Sequence, residues 1–257
     1  MRVVIVGSGN LATQLSLALR DAGTEIAQVF SRTLAHACEL GARLGCPATD
    51  SIDGVTADAD AYIVAVKDDA LGTVAAALGR KSDTAVFIHT AGSVPMSVFE
   101  GCARHYGVLY PMQTFSKNRR VEFHDIPCFL EASDAHSMTV LRSLASSVSD
   151  RVMVVDSERR KRLHLAAVLA CNLTNHCYRL AERVLETAGV DFSLYLPLIE
   201  ETAHKVENLS PRQAQTGPMV RYDRAVMELQ LGLLPDERTR QIYRLMAESI
   251  HEDSLQA

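Results

Sequence analysis

Over its first half the chain alternates short β-branched runs with stretches of helical period. Runs at 3–6, 25–30, 61–66, 85–89, 107–110, 128–131 and 152–155 read as strands. Between most of them the apolar positions recur every three or four residues, as at Leu11, Leu15, Ala18 and Leu19. Strand and helix in alternation predict an α/β domain built on a doubly wound parallel sheet, whose ligands sit at the carboxyl ends of the strands.

After Asp156 the strand signals stop. Periodic stretches at 157–188, 192–209, 218–233 and 236–250 predict an all-α domain, so the expected division is 1–155 and 156–257. Gly189 and Pro235 punctuate these helices. Pro218 suits a first helical turn, with Thr216 or Gly217 as its cap and Arg221 and Asp223 following in that helix. Arg159, Arg160, Lys161 and Arg162 read as a solvated helix face.

The first strand runs into GSGNLA. Gly7, Gly9 and Ala12 fill the positions of a Gly-x-Gly-x-x-Ala loop directly after a strand and directly before a helix, the context a dinucleotide site requires. Gly7 permits the turn, Gly9 lets the backbone approach a pyrophosphate, and Ala12 lets the helix pack close. Ser8, Asn10 and Leu11 complete the loop, whose amides and helix dipole favour an anion. The second strand ends VFSRT, and Ser31, Arg32 and Thr33 offer a guanidinium and two hydroxyls where an NAD site would carry a carboxylate. That set suits the 2′-phosphate of NADP.

Three more strand ends carry polar residues: AVKDDAL, IHTAGSVP and LYPMQTFSK. Ala65, Val66, Lys67, His89 and Thr90 extend the cofactor edge, while Ser93, Gln113, Thr114 and Ser116 read as the lining of a cleft. Asp68 reads as a helix cap. In the second half, Leu163 to Tyr178 reads as a buried apolar helix with Asn172 and His176 four apart on one face, Asn175 beside them and His164 two turns earlier. Polar groups there need partners in the fold, across a dimer, or in a ligand.

Composition narrows the partners. With 257 residues, 47% of them hydrophobic, and a net charge of −5, the chain can bury a large core and shows no basic surface for nucleic acid or an anionic membrane. Its most apolar run, 163–173, is broken by His164 and Asn172 and falls short of the roughly 20 residues of a membrane span. No signal peptide precedes the first strand, so a cytoplasmic location is expected. Six cysteines without a Cys-x-x-Cys pair read as reduced thiols, with no metal site.

Taken together, GSGNLA, HTAGSVP, YPMQTFSK, the segment from His164 to His176 and QTGPMVRYD make the chain resemble a family of Rossmann-like proteins with a C-terminal helical domain of unknown function. That family is similar to deazaflavin-dependent NADP oxidoreductases and pyrroline-5-carboxylate reductases, and more distantly to β-hydroxyacid dehydrogenases. The resemblance implies a Rossmann fold and a homodimer formed through the helical domains. It implies an oxidoreductase moving hydride between NADP(H) and a small carbonyl, imine or redox carrier in the interdomain cleft. On the matching positions HTAGS, with Ser93, would lie near the nicotinamide and Gln113 would face the substrate. Where β-hydroxyacid dehydrogenases carry a lysine one turn before an asparagine, this chain has Val168 before Asn172. The proton is therefore expected from His176, His89 or a water. A non-catalytic NADP(H)-binding sensor or scaffold is the alternative.

Overall fold

In a computed structural model describing residues 1–256, the β-branched runs pair into one eight-stranded sheet of order β3-β2-β1-β4-β5-β6-β7-β8. The strands are β1 (Arg2–Val6), β2 (Glu25–Phe30), β3 (Ala48–Thr49), β4 (Ala61–Val64), β5 (Val86–His89), β6 (His105–Pro111), β7 (Cys128–Ala132) and β8 (Val152–Val154). Helices α1 (Asn10–Asp21), α2 (Leu34–Leu44), α3 (Asp68–Leu78) and α4 (Ala135–Ser146) lie between them. The chain starts at the middle of the sheet, winds outward through β2 and β3, then returns to β4 on the other side of β1. Neighbouring strands diverge at β1 and β4, and such a switch point opens a crevice at their carboxyl ends.

The central strands are apolar on both faces because helices cover both sides. One cluster joins Ile5, Leu15, Leu19 and Ile63, and another joins Val6, Tyr62, Phe87 and Phe99 on the opposite face. The sheet departs from the all-parallel expectation at one junction. No helix crosses over between β6 and β7, so β7 returns antiparallel to β6, and β8 runs parallel to β7. Strand β3 gives too little alternation over two residues to be seen in the sequence.

The second half is helical: α5 (Ser157–Ala167), a π-helical segment (Val168–Leu173), α6 (Thr174–Ala188), a 3₁₀ turn (Phe192–Tyr195), α7 (Leu196–Asn208), α8 (Pro211–Ala214), α9 (Arg224–Leu233) and α10 (Glu237–Leu255). Gly189 closes α6 in the left-handed region at φ 65°, as its punctuating place suggests. Pro218 does not open a helix. Residues 218–222 form turns, and α9 begins only at Arg224, where the Asp223 side chain accepts from Val226 N–H. A carboxylate that can bond an orphan amide outcompetes a proline that merely tolerates the first turn.

The fold divides into two compact units, Met1–Cys171 and a second from Asn172 onward. The division falls inside the π segment, later than the expected 155/156. Helix α5 belongs with the sheet because Arg160, read in sequence as part of a solvated face, is fully buried and ion-paired with Glu131 of β7. The stretch from Leu163 to Tyr178 is not the buried helix expected either, since Leu165 and Leu173 are exposed. No helix of the described residues is long and apolar enough to cross a membrane.

Candidate functional site

The register of the sheet brings four strand ends to one edge. Val6 pairs with Phe30 on one side and with Val64 on the other, and Val64 pairs with His89. Gly7, Ser31, Ala65 and Thr90 therefore leave the sheet side by side. A cleft of about 400 Å³ opens there, lined by the glycine loop from Gly9 to Ala12, by Ala65 to Asp68, by Thr90 to Gly92, and by Tyr110 and His164.

Each part of the loop has its own cause. Gly7 stands at φ 122°, and a Cβ there would lie 2.2 Å from the Ala65 carbonyl oxygen, so neither the backbone nor the space admits a side chain. Gly9 is different. Its backbone is extended, at φ −75° and ψ −174°, and a Cβ would meet nothing within 4 Å. Nothing in the protein requires glycine at that position, and a side chain would point into the open cleft. Gly9 also precedes α1 without a side-chain cap, and the first helical bond is Thr13 N–H to the Gly9 carbonyl. The preceding amides at Asn10, Leu11 and Ala12 are orphan donors that, with the helix dipole, suit a diphosphate.

Ser8 and Ser31 join their hydroxyls at 2.9 Å and tie the glycine loop to the end of β2. Arg32 and Thr33 follow, exposed, at the start of α2. The residues present thus fit a dinucleotide carrying an extra phosphate on the side of β2.

Of the other expected residues, His89 and Asp68 take structural positions. His89 does not line the cleft: its ring is fully buried beside Phe99 and its Nδ1 accepts the Ala91 N–H. Burial, and then the nearby Arg160 charge, push its pKa down to about 3, so it is a neutral imidazole. Asp68 is no cap. It occupies the first turn of α3 and accepts the Ser93 hydroxyl. Gln113 accepts from Thr114 N–H and lines a separate cavity with Ser116 and Arg119. Asn172 and His176 lie exposed in the second unit.

Two further residues stand in the cleft: His164, marked in the sequence only as a polar group in need of a partner, and Tyr110, to which sequence reasoning assigned no role. Tyr110 ends β6 at the same edge as the glycine loop, and its hydroxyl lies 2.9 Å from His164 Nδ1 on α5. The rings meet edge to face at 5.8 Å. The signal was a tyrosine at the carboxyl end of an apolar strand parallel to its neighbour β5.

Comparisons with known proteins agree with this architecture. Residues 2–92 match a family described as NADP oxidoreductase coenzyme F420-dependent, and residues 126–250 match a domain of unknown function, DUF2520. A structure from Bacteroides fragilis described as a candidate NADP oxidoreductase is 46% identical, with a TM-score of 0.94 over 98% of each chain. A Thermotoga maritima protein is 24% identical, covering 98% of this chain and 99% of its own, with a TM-score of 0.80. The imine reductase of Myxococcus stipitatus, in complex with NADP+, shares the fold at 17% identity and a TM-score of 0.65, covering 100% of this chain and 94% of its own. A sequence comparison with curated proteins finds no match.

Proposed function

The chain belongs to the family of NADP oxidoreductases in which an NADP oxidoreductase domain of the coenzyme F420-dependent kind precedes a DUF2520 domain, and from that premise we propose that it reduces a small imine or carbonyl with NADPH bound in the first unit's cleft. The cofactor is NADP. The observation that carries the reading is Gly9, a glycine that neither its backbone angles nor its protein neighbours demand, beside an uncapped helix start. A ligand that presses against the backbone accounts for both.

Bound NADPH supplies the hydride. The chain's own residues do the rest. Amides at the start of α1 would hold the diphosphate, and the linked hydroxyls of Ser8 and Ser31 fix the loop beside it. Arg32 would meet the 2′-phosphate with a fork of N–H donors, and Ser31 and Thr33 would add hydroxyls. Ala65, Val66 and Lys67 on one side and Thr90 to Gly92 on the other bound the cleft. Ser93 holds Asp68 at its rim.

The second unit pairs with that of another copy of this chain. Leu229 and Leu233 on α9 and Leu245 on α10 are 73%, 71% and 67% exposed, more apolar surface than a solvated helical unit keeps bare. Asn172 and His176 sit on the exposed surface of the same unit. All six cysteines are free, which suits the reducing cytoplasm.

Calorimetric titration with NADPH and NADH tests the reading, followed by loss of nicotinamide absorbance on adding 2-methyl-1-pyrroline or glyoxylate. Tighter binding of NADPH and its oxidation by one of the two are expected. Absence of nucleotide binding overturns the proposal. Binding without oxidation across a wide set of acceptors makes the chain a sensor instead.

A further inference from the structure

We propose that Tyr110 and His164 are the proton-donating pair of this cleft, the Tyr110 phenol protonating the nitrogen or oxygen of the substrate and His164 resupplying it. The assignment rests on the NADPH-dependent reduction proposed above. It draws on no residue of the second unit, because the first unit itself brings the two together.

The geometry is that of a built pair. Tyr110 is 8% exposed, packed on Phe129, with its hydroxyl turned to His164 Nδ1. Both line the cavity that also holds Gly9 and Thr90, so the phenol and the helix start share one space. Gly92 makes room for the imidazole: a Cβ there would lie 2.5 Å from His164 Nδ1. Loop 91–96 is in turn held from below, because Arg160 donates to the Val94 carbonyl and the Ser157 hydroxyl accepts the Met96 N–H.

The electrostatics suit an acid. Burial raises the Tyr110 pKa, so the phenol carries its proton at neutral pH, while the Arg160 charge opposes that rise and favours the phenolate once the proton has left. Other titratable groups at the cleft are committed or peripheral. Asp68 accepts from Ser93, and Lys67 is exposed at the start of α3.

The protons and electrons balance. Hydride arriving at the substrate carbon leaves the π-bond electron pair on nitrogen or oxygen. The Tyr110 O–H bond breaks and its proton joins that pair. The phenolate takes the Nδ1 proton of His164, and the half-buried imidazole takes one from solvent at Nε2, so the histidine changes tautomer and gains no net charge. The sum is one reduced nicotinamide oxidised, one C=N or C=O bond reduced and one solvent proton consumed.

The test compares the intact chain with Tyr110→Phe and His164→Gln. Affinity for NADPH should stay within about threefold in both variants. Single-turnover oxidation of NADPH by 2-methyl-1-pyrroline and by glyoxylate should fall about 100-fold or more in Tyr110→Phe, the usual worth of a general acid. Wild-type transfer rates in Tyr110→Phe with NADPH binding intact overturn this inference and leave the parent reading standing. A wild-type chain that binds no NADP(H) removes both. A second readout needs no turnover and no variant that must fold: the imidazole ¹⁵N resonances of His164 should shift when the wild-type chain is saturated with NADP+. Resonances that ignore the nucleotide place the pair outside the site and overturn the proposal even if neither probe reacts.

Discussion

Arg160 on α5 is fully buried and closes an ion pair with Glu131 on β7, while its other terminal nitrogen donates to the Val94 carbonyl. Ser157 donates to the same carboxylate, so one turn of α5 clamps the loop that borders the cleft. Removing one member of a buried pair leaves the other charged and unpaired. Glu131→Ala should therefore cost about 3–5 kcal/mol of unfolding free energy. Replacing both residues together, Arg160→Met with Glu131→Leu, should restore much of that stability yet weaken NADPH binding, because loop 91–96 loses its tether. Denaturant unfolding and nucleotide titration on the same three proteins check both halves.

Gly7 and Gly9 should fail in opposite ways. Gly7→Ala forces a Cβ onto the Ala65 carbonyl at a φ of 122°, and the variant should lose at least about 2 kcal/mol of stability. Gly9→Val meets no protein atom, so its unfolding midpoint should match the wild type while nucleotide binding disappears. A Gly9→Val protein that binds NADPH normally would reduce the loop to a turn.

Arg32 is exposed at the start of α2, where a single substitution should leave stability unchanged. A charge-assisted bond to the 2′-phosphate is worth about 1.5–3 kcal/mol, so Arg32→Ala should weaken NADPH binding roughly 10- to 100-fold. NADH, which lacks that phosphate, should lose almost nothing. Equal losses for the two nucleotides would remove the phosphate-selection argument.

What the sequence disclosed follows from which contacts are local. Central strands buried on both faces read as unbroken apolar runs, and even the exposed β8 as a short apolar one, so seven of the eight strands were visible, and the glycine loop declared itself by its place between β1 and α1. The burial of Arg160 was hidden because its partner Glu131 comes from a strand that only the antiparallel return of β7 places nearby. Tyr110 and His164, separated by 54 positions, are neighbours solely through the packing of α5 on the sheet. The start of α9 differs from the pattern for a local reason, the cap at Asp223, which competes with Pro218 over a few residues.

His89 makes acid stability a property of the sheet edge. Burial, then the Arg160 charge, hold its folded pKa near about 3, below the ordinary value of 6.5. The unfolded chain thus binds a proton that the native chain refuses. Stability from this group is fully present above pH 6.5 and is lost as pH falls toward 3, at up to about 1.4 kcal/mol per pH unit. His89→Asn keeps an acceptor for the Ala91 N–H and cannot titrate, so its unfolding free energy should fall less steeply across that window. Parallel curves for the two proteins would show that the imidazole is protonated in the native state.

The bare leucines of the second unit lead to the last expectation. Leu229 and Leu233 stand four apart on α9, one turn of helix, and at 73% and 71% exposure each leaves most of its side chain to water. Burying such a side chain is worth about 1.5–3 kcal/mol, and an isologous two-fold contact counts every residue twice. Leu229→Glu with Leu233→Glu should then convert a dimer to a monomer, read as a halved mass by light scattering, since each charge would otherwise be buried against its own copy. The first unit contains every residue assigned here to NADP, so the monomer should bind NADPH with unchanged affinity. A wild-type chain that is already monomeric at micromolar concentration would refute the paired surface, and a double variant that stays dimeric would move it off α9.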